Sequence, residues 1–397
     1  MPGFELFGDA ERKEVNEVLD SGVLMRYGFD GARNDWKAVK LEKLLAERMQ
    51  TQYAQLVSSG TAALSVALVS AGVGAGDEVI IPTFTFVATF EAVLAVGAIP
   101  VLVDVDETLG LNPKAVRNAI TERTKAIMPV HMCGSMVDLD PLVVLCKKYS
   151  LVLIEDACQA IGGSYNNKPL GSIGDIGCFS FDYVKTITCG EGGGLITNNK
   201  DYYRHADHYS DHGHDHIGKD RGAEGHPFLG YNYRISELHA AVGVAQIQRL
   251  DEFLATQKKY YLILEEALKT IPEVTFRKIP EGGVQNYSFI SFFLPTETEA
   301  KAAHTSLGQH GVDASFYWFD NNWHYHTKWE HLKELKSLNQ FSDSIEKAVF
   351  SSEEKDFSAS DQVISRTISC LIKLSWTEAQ VHARAKAMVA AINVVLG

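Results

Sequence analysis

LIEDACQAIGG (153–163), followed by GSIGDIGCFSFDYVKTITCGEGGGLIT (171–197), is the stretch that decides the fold. Residues 151–155 and 177–181 are short apolar runs with no alternating polar face. That is how strands buried on both sides of a sheet read. Each run stops abruptly at charge, at Glu155-Asp156 and at Asp182. Working outward, similar runs stand at 53–57, 78–81, 100–104, 125–130 and 194–197. Helical patterns fill 59–72, 85–96, 113–121 and 138–149, with Ser59 and Asn112 placed to act as N-caps. Strand and helix in alternation predict an α/β fold with a mostly parallel sheet flanked by helices.

The pattern changes after about residue 234. Residues 235–270 read as one long helical stretch. Strands at 274–276, 287–293 and 368–373 follow, with helices at 297–309 and 377–394. This predicts a large α/β domain over 1–250 and a smaller C-terminal α+β domain over 251–397. The polar, Ser- and acid-rich segment 337–362 reads as a surface excursion.

The chain has 397 residues, 46% apolar and 22% charged, values of an ordinary globular protein. Lys plus Arg number 37 against 50 Asp plus Glu, a net charge of −13. That argues against nucleic-acid or anionic-membrane partners, which need basic patches. Glu5 and Asp9 precede any apolar run, so no secretory leader is expected, and no apolar span is continuous enough for a membrane. The six cysteines include no Cys-x-x-Cys pair. Reduced thiols in a cytoplasmic protein are the expectation.

Asp156 closes a parallel strand on the side where α/β sheets bind ligands. Lys185 follows the next strand and precedes Gly190 and the triplet Gly192-Gly193-Gly194. A lysine held there, among glycines that let a ligand approach the backbone, suits a Schiff-base role. Asp156 could pair with the protonated ring nitrogen that pyridoxal phosphate requires. Ser58-Ser59-Gly60-Thr61 opens a helix, where free N–H groups and the positive dipole end favour a phosphate. Ser180 could add a hydroxyl, and Phe84 and Phe86 an aromatic face.

SSGTAAL, GAGDEVIIPTFTFVAT, PVLVDVD, PVHMCGS, IEDACQAIGG, FSFDYVKTITCGEGG and GYNYRISELHAA together resemble the DegT/DnrJ/EryC1/StrS family of sugar aminotransferases, in order and over nearly the whole chain. The resemblance implies fold-type I architecture, pyridoxal 5′-phosphate as cofactor, and L-glutamate and 2-oxoglutarate as donor pair. It implies Lys185 as the residue that carries the cofactor and Asp156 as the partner of the ring nitrogen. It further implies Gln159 near the phenolic oxygen, Phe86 against the ring, and Gly60, Thr61 and Ser180 on the phosphate. Asn232 would reach the phosphate of a neighbouring subunit, in a homodimer with shared sites. One departure is Asp182, where many members have His. SFDYVKTITCGEGG, SDHGHDHIGKDRGAEGHPFLGYNYRISE, FYWFDNNWHY and ISRTISCLIKLSW look closer to the branch of 8-amino-3,8-dideoxy-octulosonate transaminases. That branch implies an acidic aldehydo- or keto-sugar for lipopolysaccharide.

Six histidines fall between His205 and His226. They fit a polar surface loop or contacts to a sugar carboxylate better than a metal, and no metal is assigned. For the substrate, Arg234 is the first candidate because its planar fork can hold a carboxylate bidentately. His212, His214, Lys219 and Arg221 are further candidates. Trp318 is read either as core or as a sugar-facing wall.

Overall fold

The structure, a computed structural model, describes residues 3–397 apart from 30, 34, 219, 338, 339, 353 and 354. Seven strands form the main sheet: β1 (Tyr53–Val57), β2 (Glu78–Pro82), β3 (Ile99–Val103), β4 (Thr124–Ile127), β5 (Val152–Asp156), β6 (Ile176–Ser180) and β7 (Gly193–Thr197). Their spatial order is β1-β7-β6-β5-β4-β2-β3. All neighbours are parallel except β7, which runs antiparallel to both β1 and β6. Every residue of β2, β5 and β7 is buried, the outcome expected for strands with helices on both faces.

The apolar runs of the sequence land on these strands to within a few residues. Ser59 caps α1 (Gly60–Ser70), its hydroxyl accepting from the Ala62 amide, and Asn112 caps the helix Pro113–Ala119 through the amides of Lys114 and Ala115. α1 is buried on nearly all sides, wedged between the sheet and the helices α2 (Ala88–Ala95) and α3 (Lys200–Ser210). Among the described residues, no helix is long and apolar enough to cross a membrane.

A second sheet carries β8 (Thr275–Phe276), β9 (Phe289–Phe293), β10 (Ser315–Tyr317) and β11 (Thr367–Leu371), in the order β8-β9-β11-β10 and antiparallel throughout. Its core includes Ile290, Phe292, Ile368 and Cys370, covered by Leu264, Leu268, Met388 and Ile392 from the long helices Leu250–Leu268 and Glu378–Leu396.

Three expectations need correction. The stretch 235–270 is two helices, Glu237–Gln248 and Leu250–Leu268, meeting at Arg249. No Gly or Pro marks that break. It is tertiary, the Arg249 guanidinium being held by the Leu6 carbonyl and Glu11. The N-terminal helices Asp9–Ser21 and Lys37–Met49 have no counterpart among the expected elements, although Glu11 and the C-capping Gly22 mark the first of them. The second has no side-chain cap of its own at Trp36. The distant carboxylate of Glu237 accepts from the Lys37 and Ala38 amides instead.

The excursion 337–362 is the third correction. It holds a helix, α4 (Asp343–Ser352), which lies on β3, an edge of the main sheet. Ile345, Val349 and Phe357 bury with Phe90, Leu102, Trp329 and Leu332 in the main core. Three apolar side chains are enough to dock an otherwise polar segment.

Candidate active site

Glu155 and Asp156 end β5 side by side and do different work. Glu155 is fully buried. It accepts from the amides of Gly171, Ile173 and Gly174 and lies 2.9 Å from His131 Nε2. It ties the strand end to the loop before β6. Asp156, also buried, accepts from Thr89 Oγ1 at 2.8 Å and from the Cys158 amide at 3.2 Å. Thr89 Oγ1 lies 2.7 Å from Thr85 Oγ1. The threonines of the TFTFVAT motif thus hold the aspartate in one orientation.

Lys185 sits on the hairpin between β6 and β7. Its amide donates to the Asp182 carbonyl, and its own carbonyl accepts from the Gly3 amide. Burial pushes the Cys158 thiol well above its ordinary range. The Asp156 carboxylate pushes in the same direction and the Lys185 ammonium opposes. The thiol therefore feels both charges, and β5, which ends in Asp156, pairs directly with β6, which leads into the Lys185 turn. Asp182 accepts from the Val184 amide and shapes the turn into Lys185.

Gly60 shows why glycine opens α1. A Cβ there would come within 2.7 Å of Ser180 Cβ and 3.2 Å of Cys158 Sγ. Ser180 therefore lies against the helix N-terminus, where exposed Thr61 and the leading amides have no helical partners. The glycine triplet is explained differently from the ligand approach expected of it. A Cβ on Gly193 would sit 2.2 Å from the Ser59 carbonyl oxygen, so this glycine lets β7 pass under the cap.

Gln159 Oε1 accepts from the Cys133 amide at 2.9 Å. A backbone donor can only face oxygen, so the side chain offers its NH2 group to whatever lies beyond. Phe86 stacks parallel to the half-exposed Trp323, with centroids 5.7 Å apart. A strap over 321–326 pairs with the loop after β2: Thr85 N donates to His324 O, Val87 N to Trp323 O and His326 N to Thr83 O.

That strap brings in a residue the sequence did not single out. His324 packs against Phe86 and Trp318, with Nδ1 2.9 Å from Asn321 Oδ1. Burial, helped by the nearby Lys185 charge, pulls it down to about 3, so it is neutral. Its motif FYWFDNNWHY was noticed, but only the pairing across the fold shows which residue faces the site. Trp318 is core. It is 2% exposed, stacks on Phe316 and gives its one N–H to Ser369 Oγ. It forms the wall behind His324 rather than an open sugar-facing surface.

The loop candidates for a substrate carboxylate already have carboxylates within the chain. Asp211, fully buried, accepts a bidentate pair from Arg221 at 2.9 and 3.1 Å, a bond from Arg234 Nη1, and lies 2.9 Å from His216 Nε2. His216 Nδ1 is 2.8 Å from Asp207. His214 lies 2.8 Å from Glu224, and exposed His212 occupies a turn with φ +56°. Lys219 lies outside the described residues. Sequence counted these cations without seeing that Asp211 gathers them.

The hub also fixes the GYNYR segment. Asp211 bridges to Asn232 in the backbone, and the Ser58 amide donates to the Tyr233 carbonyl at 2.7 Å. Asn232 is exposed. Elsewhere, Glu14, Glu17 and Asp35 converge, but the Lys37 ammonium already sits among them at 2.8, 2.5 and 2.9 Å.

Stability should report on the hub. Burial works to lower His216, but the bonds to Asp207 and Asp211 outweigh it and raise it to about 9. A folded value above the unfolded one, about 6.5, adds stability that is whole below pH 6.5 and lost as pH rises through 9. Burial opposes ionisation of Asp211, yet His216, Arg221 and Arg234 hold it well below the usual carboxylate range. Its contribution is present above about pH 4 and lost on acidification. Asp211→Asn should cost roughly 3–5 kcal/mol, since it strands buried cations. His216→Gln should flatten the fall of the thermal midpoint between pH 6.5 and 9.5. Unchanged melting in both variants would show that the hub contributes nothing.

The residues present fit pyridoxal phosphate. A lysine follows the strand that pairs with the one ending in a buried aspartate, and a glycine opens a helix N-terminus with a serine hydroxyl against it. In an α/β sheet with one antiparallel strand, this is the arrangement of a pyridoxal-phosphate-dependent aminotransferase. Comparison with known proteins agrees. The DegT/DnrJ/EryC1/StrS aminotransferase family matches residues 6–368, and the chain belongs to that family. GDP-perosamine synthase of Escherichia coli O157:H7 is 36% identical over 298 residues, 75% of this chain and 78% of the relative. That of Caulobacter vibrioides is 41% identical over 250 residues, 63% and 64% of the two chains. An aminotransferase from Psychrobacter cryohalolentis superposes with TM-score 0.85 at 25% identity over 98% of both chains. 3-Amino-5-hydroxybenzoic acid synthase gives 0.80 at 30% identity, over 98% and 97%. The names of the relatives support sugar amination and do not single out the octulosonate.

Proposed function

We propose that the chain moves an amino group from L-glutamate to the C8 aldehyde of 3,8-dideoxy-8-oxo-octulosonate, an acidic sugar. The observation that carries this reading is where the octulosonate-like stretches fall. SFDYVKTITCGEGG holds Lys185, and FYWFDNNWHY supplies His324 and Trp323 over Phe86. The 210–237 stretch presents Asn232. A second reading, a nucleotide-linked 3- or 4-keto sugar, is favoured by the relatives named GDP-perosamine synthase. Engagement of Arg221 and Arg234 by Asp211 also favours it, because the acidic sugar then needs another carboxylate partner.

Bound pyridoxal phosphate supplies an electron-accepting ring that lets a proton leave the carbon bearing the amine. The rest falls to the protein. Lys185 Nζ takes that proton and returns it, first for the donor and then, in the reverse sense, for the sugar. The Asp156 carboxylate keeps a proton on the ring nitrogen. Gly60, Thr61 and Ser180 bind the phosphate. Neutral His324, fixed through Nδ1, borders the space beside Lys185 and excludes water there.

The reading includes a homodimer. Asn232 is exposed on a segment whose Ile217, Leu229 and Tyr231 are 74, 90 and 60% exposed. Three bare apolar side chains on the same segment as Asn232 support an interface there. Mixing Lys185→Ala with Asn232→Ala, each inactive alone and able to exchange subunits, should recover part of the activity, because one site in a mixed dimer is intact. No recovery after proven exchange would count against shared sites. Assay with glutamate against the 8-oxo-octulosonate and a GDP-linked keto sugar separates the two substrate readings. Turnover of only the nucleotide sugar defeats the first.

A further inference from the structure

Met132–Gly134, a single 3₁₀ turn beyond β4, passes through two left-handed residues, Cys133 at φ +55° and Gly134 at φ +72°. A cysteine avoids that region, so such a turn persists only where its surroundings hold it. What the turn delivers is the Cys133 amide, which donates to Gln159 Oε1.

Two residues hold it, both from the part of the chain that builds the second sheet. Arg277, directly after β8, is 5% exposed. Its guanidinium donates to the Met132 carbonyl at 2.7 Å and to the Thr108 carbonyl in the loop beyond β3. Burial pulls it down to about 10, which leaves it charged at neutral pH. Burying a cation against neutral carbonyls is unfavourable, and an apolar side chain of similar length would fill the place with a smaller penalty. What the guanidinium adds is its planar fork, which fixes two loops in one geometry.

Asn286, three residues before β9, is 1% exposed. Its main-chain amide donates to the Gly134 carbonyl at 2.8 Å. Its side-chain NH2 donates to the Gln159 carbonyl at 3.0 Å and to the Ile161 carbonyl at 3.1 Å, while Oδ1 accepts from the Ser288 amide at 3.0 Å. A Cβ on Gly134 would come within 1.9 Å of that Oδ1, so the turn and Asn286 fit only with glycine there. Gln159 is thus gripped twice, at its side chain through the turn and at its main chain directly. It remains partly exposed, and its NH2 group is the end left to face the site.

We infer that Arg277 and Asn286 are positioning residues that aim the Gln159 NH2 group at the phenolic oxygen of the cofactor. This rests on the reading of Gln159 as a cofactor contact. A hydrogen bond donated to that oxygen draws off negative charge that would otherwise steady a proton on the nitrogen linking Lys185 to the cofactor. The donor therefore lowers the pH at which that proton leaves, and loss of its aim raises it.

The test follows the visible absorbance of the holoenzyme as pH is raised. Gln159→Leu sets the full effect, an upward shift of the midpoint by about one pH unit. Arg277→Met and Asn286→Ala should each reproduce about half of that shift or more, although the second alters no charge. Placed in the Gln159→Leu protein, neither should add to it, because both act through Gln159. A shift that persists in that background comes from the field of Arg277 or from the fold at large, and overturns the inference. Unmoved midpoints in both single variants, with Gln159→Leu shifted, overturn it as well. An unmoved midpoint in Gln159→Leu itself defeats the reading of Gln159 as a cofactor contact, and the inference with it. Circular dichroism checks folding. Arg277→Lys, which keeps the charge without the fork, and Asn286→Ser stand in for any variant that does not fold.

Discussion

Lys185→Ala is expected to lower turnover by about 10⁴-fold or more, the loss that follows when a general base is removed along with the group that carries the cofactor. The protein should remain folded. Lys185 is fixed by its backbone, through the Asp182 carbonyl and the Gly3 amide, and alanine keeps both bonds. Near-normal conversion of glutamate and keto-sugar by the variant, with no amine added, would show that another residue moves the proton. Unfolding of the variant by circular dichroism would refute the claim that the side chain serves chemistry rather than structure.

Asp156→Asn should cost the next largest amount. An adjacent carboxylate shifts the ring nitrogen by about 1–3 pKa units, so its loss predicts a turnover decrease of about 10- to 1,000-fold. The structural penalty should be small. Asparagine keeps an oxygen for the Cys158 amide, and the Thr89 hydroxyl can accept as readily as donate, its bond with Thr85 reversing in turn. The checks are kcat and the thermal midpoint together. A variant that is both folded and near-normal in kcat would remove Asp156 from its role. A variant that simply melts would make the aspartate a structural group.

The main sheet was legible because its strands are buried on both faces, so burial wrote itself as unbroken apolar runs. Lys185, Asp156 and the SSGT turn were conspicuous because they stand at strand and helix ends, where charge and glycine interrupt the apolar runs. Residues whose meaning lies in a distant partner were not. His324 stands out only when the strap meets the loop after β2, some 240 residues earlier in the chain. Thr89 reads as one more helical threonine until Asp156 is seen above it. The helix Lys37–Met49 is capped by Glu237, which no local pattern reveals. Arg221 and Arg234 were legible as cations, but their partner Asp211 is a buried acid whose neighbours come from three segments. Charge counting sees the sign of a residue and not its contacts.

The helix α4 has a consequence for the chain's behaviour in crowded solution. β3 ends the main sheet, and a bare outer strand offers unpaired amides and carbonyls to any other extended chain. Within Ile99–Val103, Pro100 already removes one such amide, while Ile99, Val101 and Val103 are β-branched and keep the strand's propensity high. With Ile345 and Val349 seated beside it, α4 acts as a guard against edge-to-edge stacking. The polar excursion therefore helps keep the protein from polymerising, a service to its solubility that is independent of any reaction it performs.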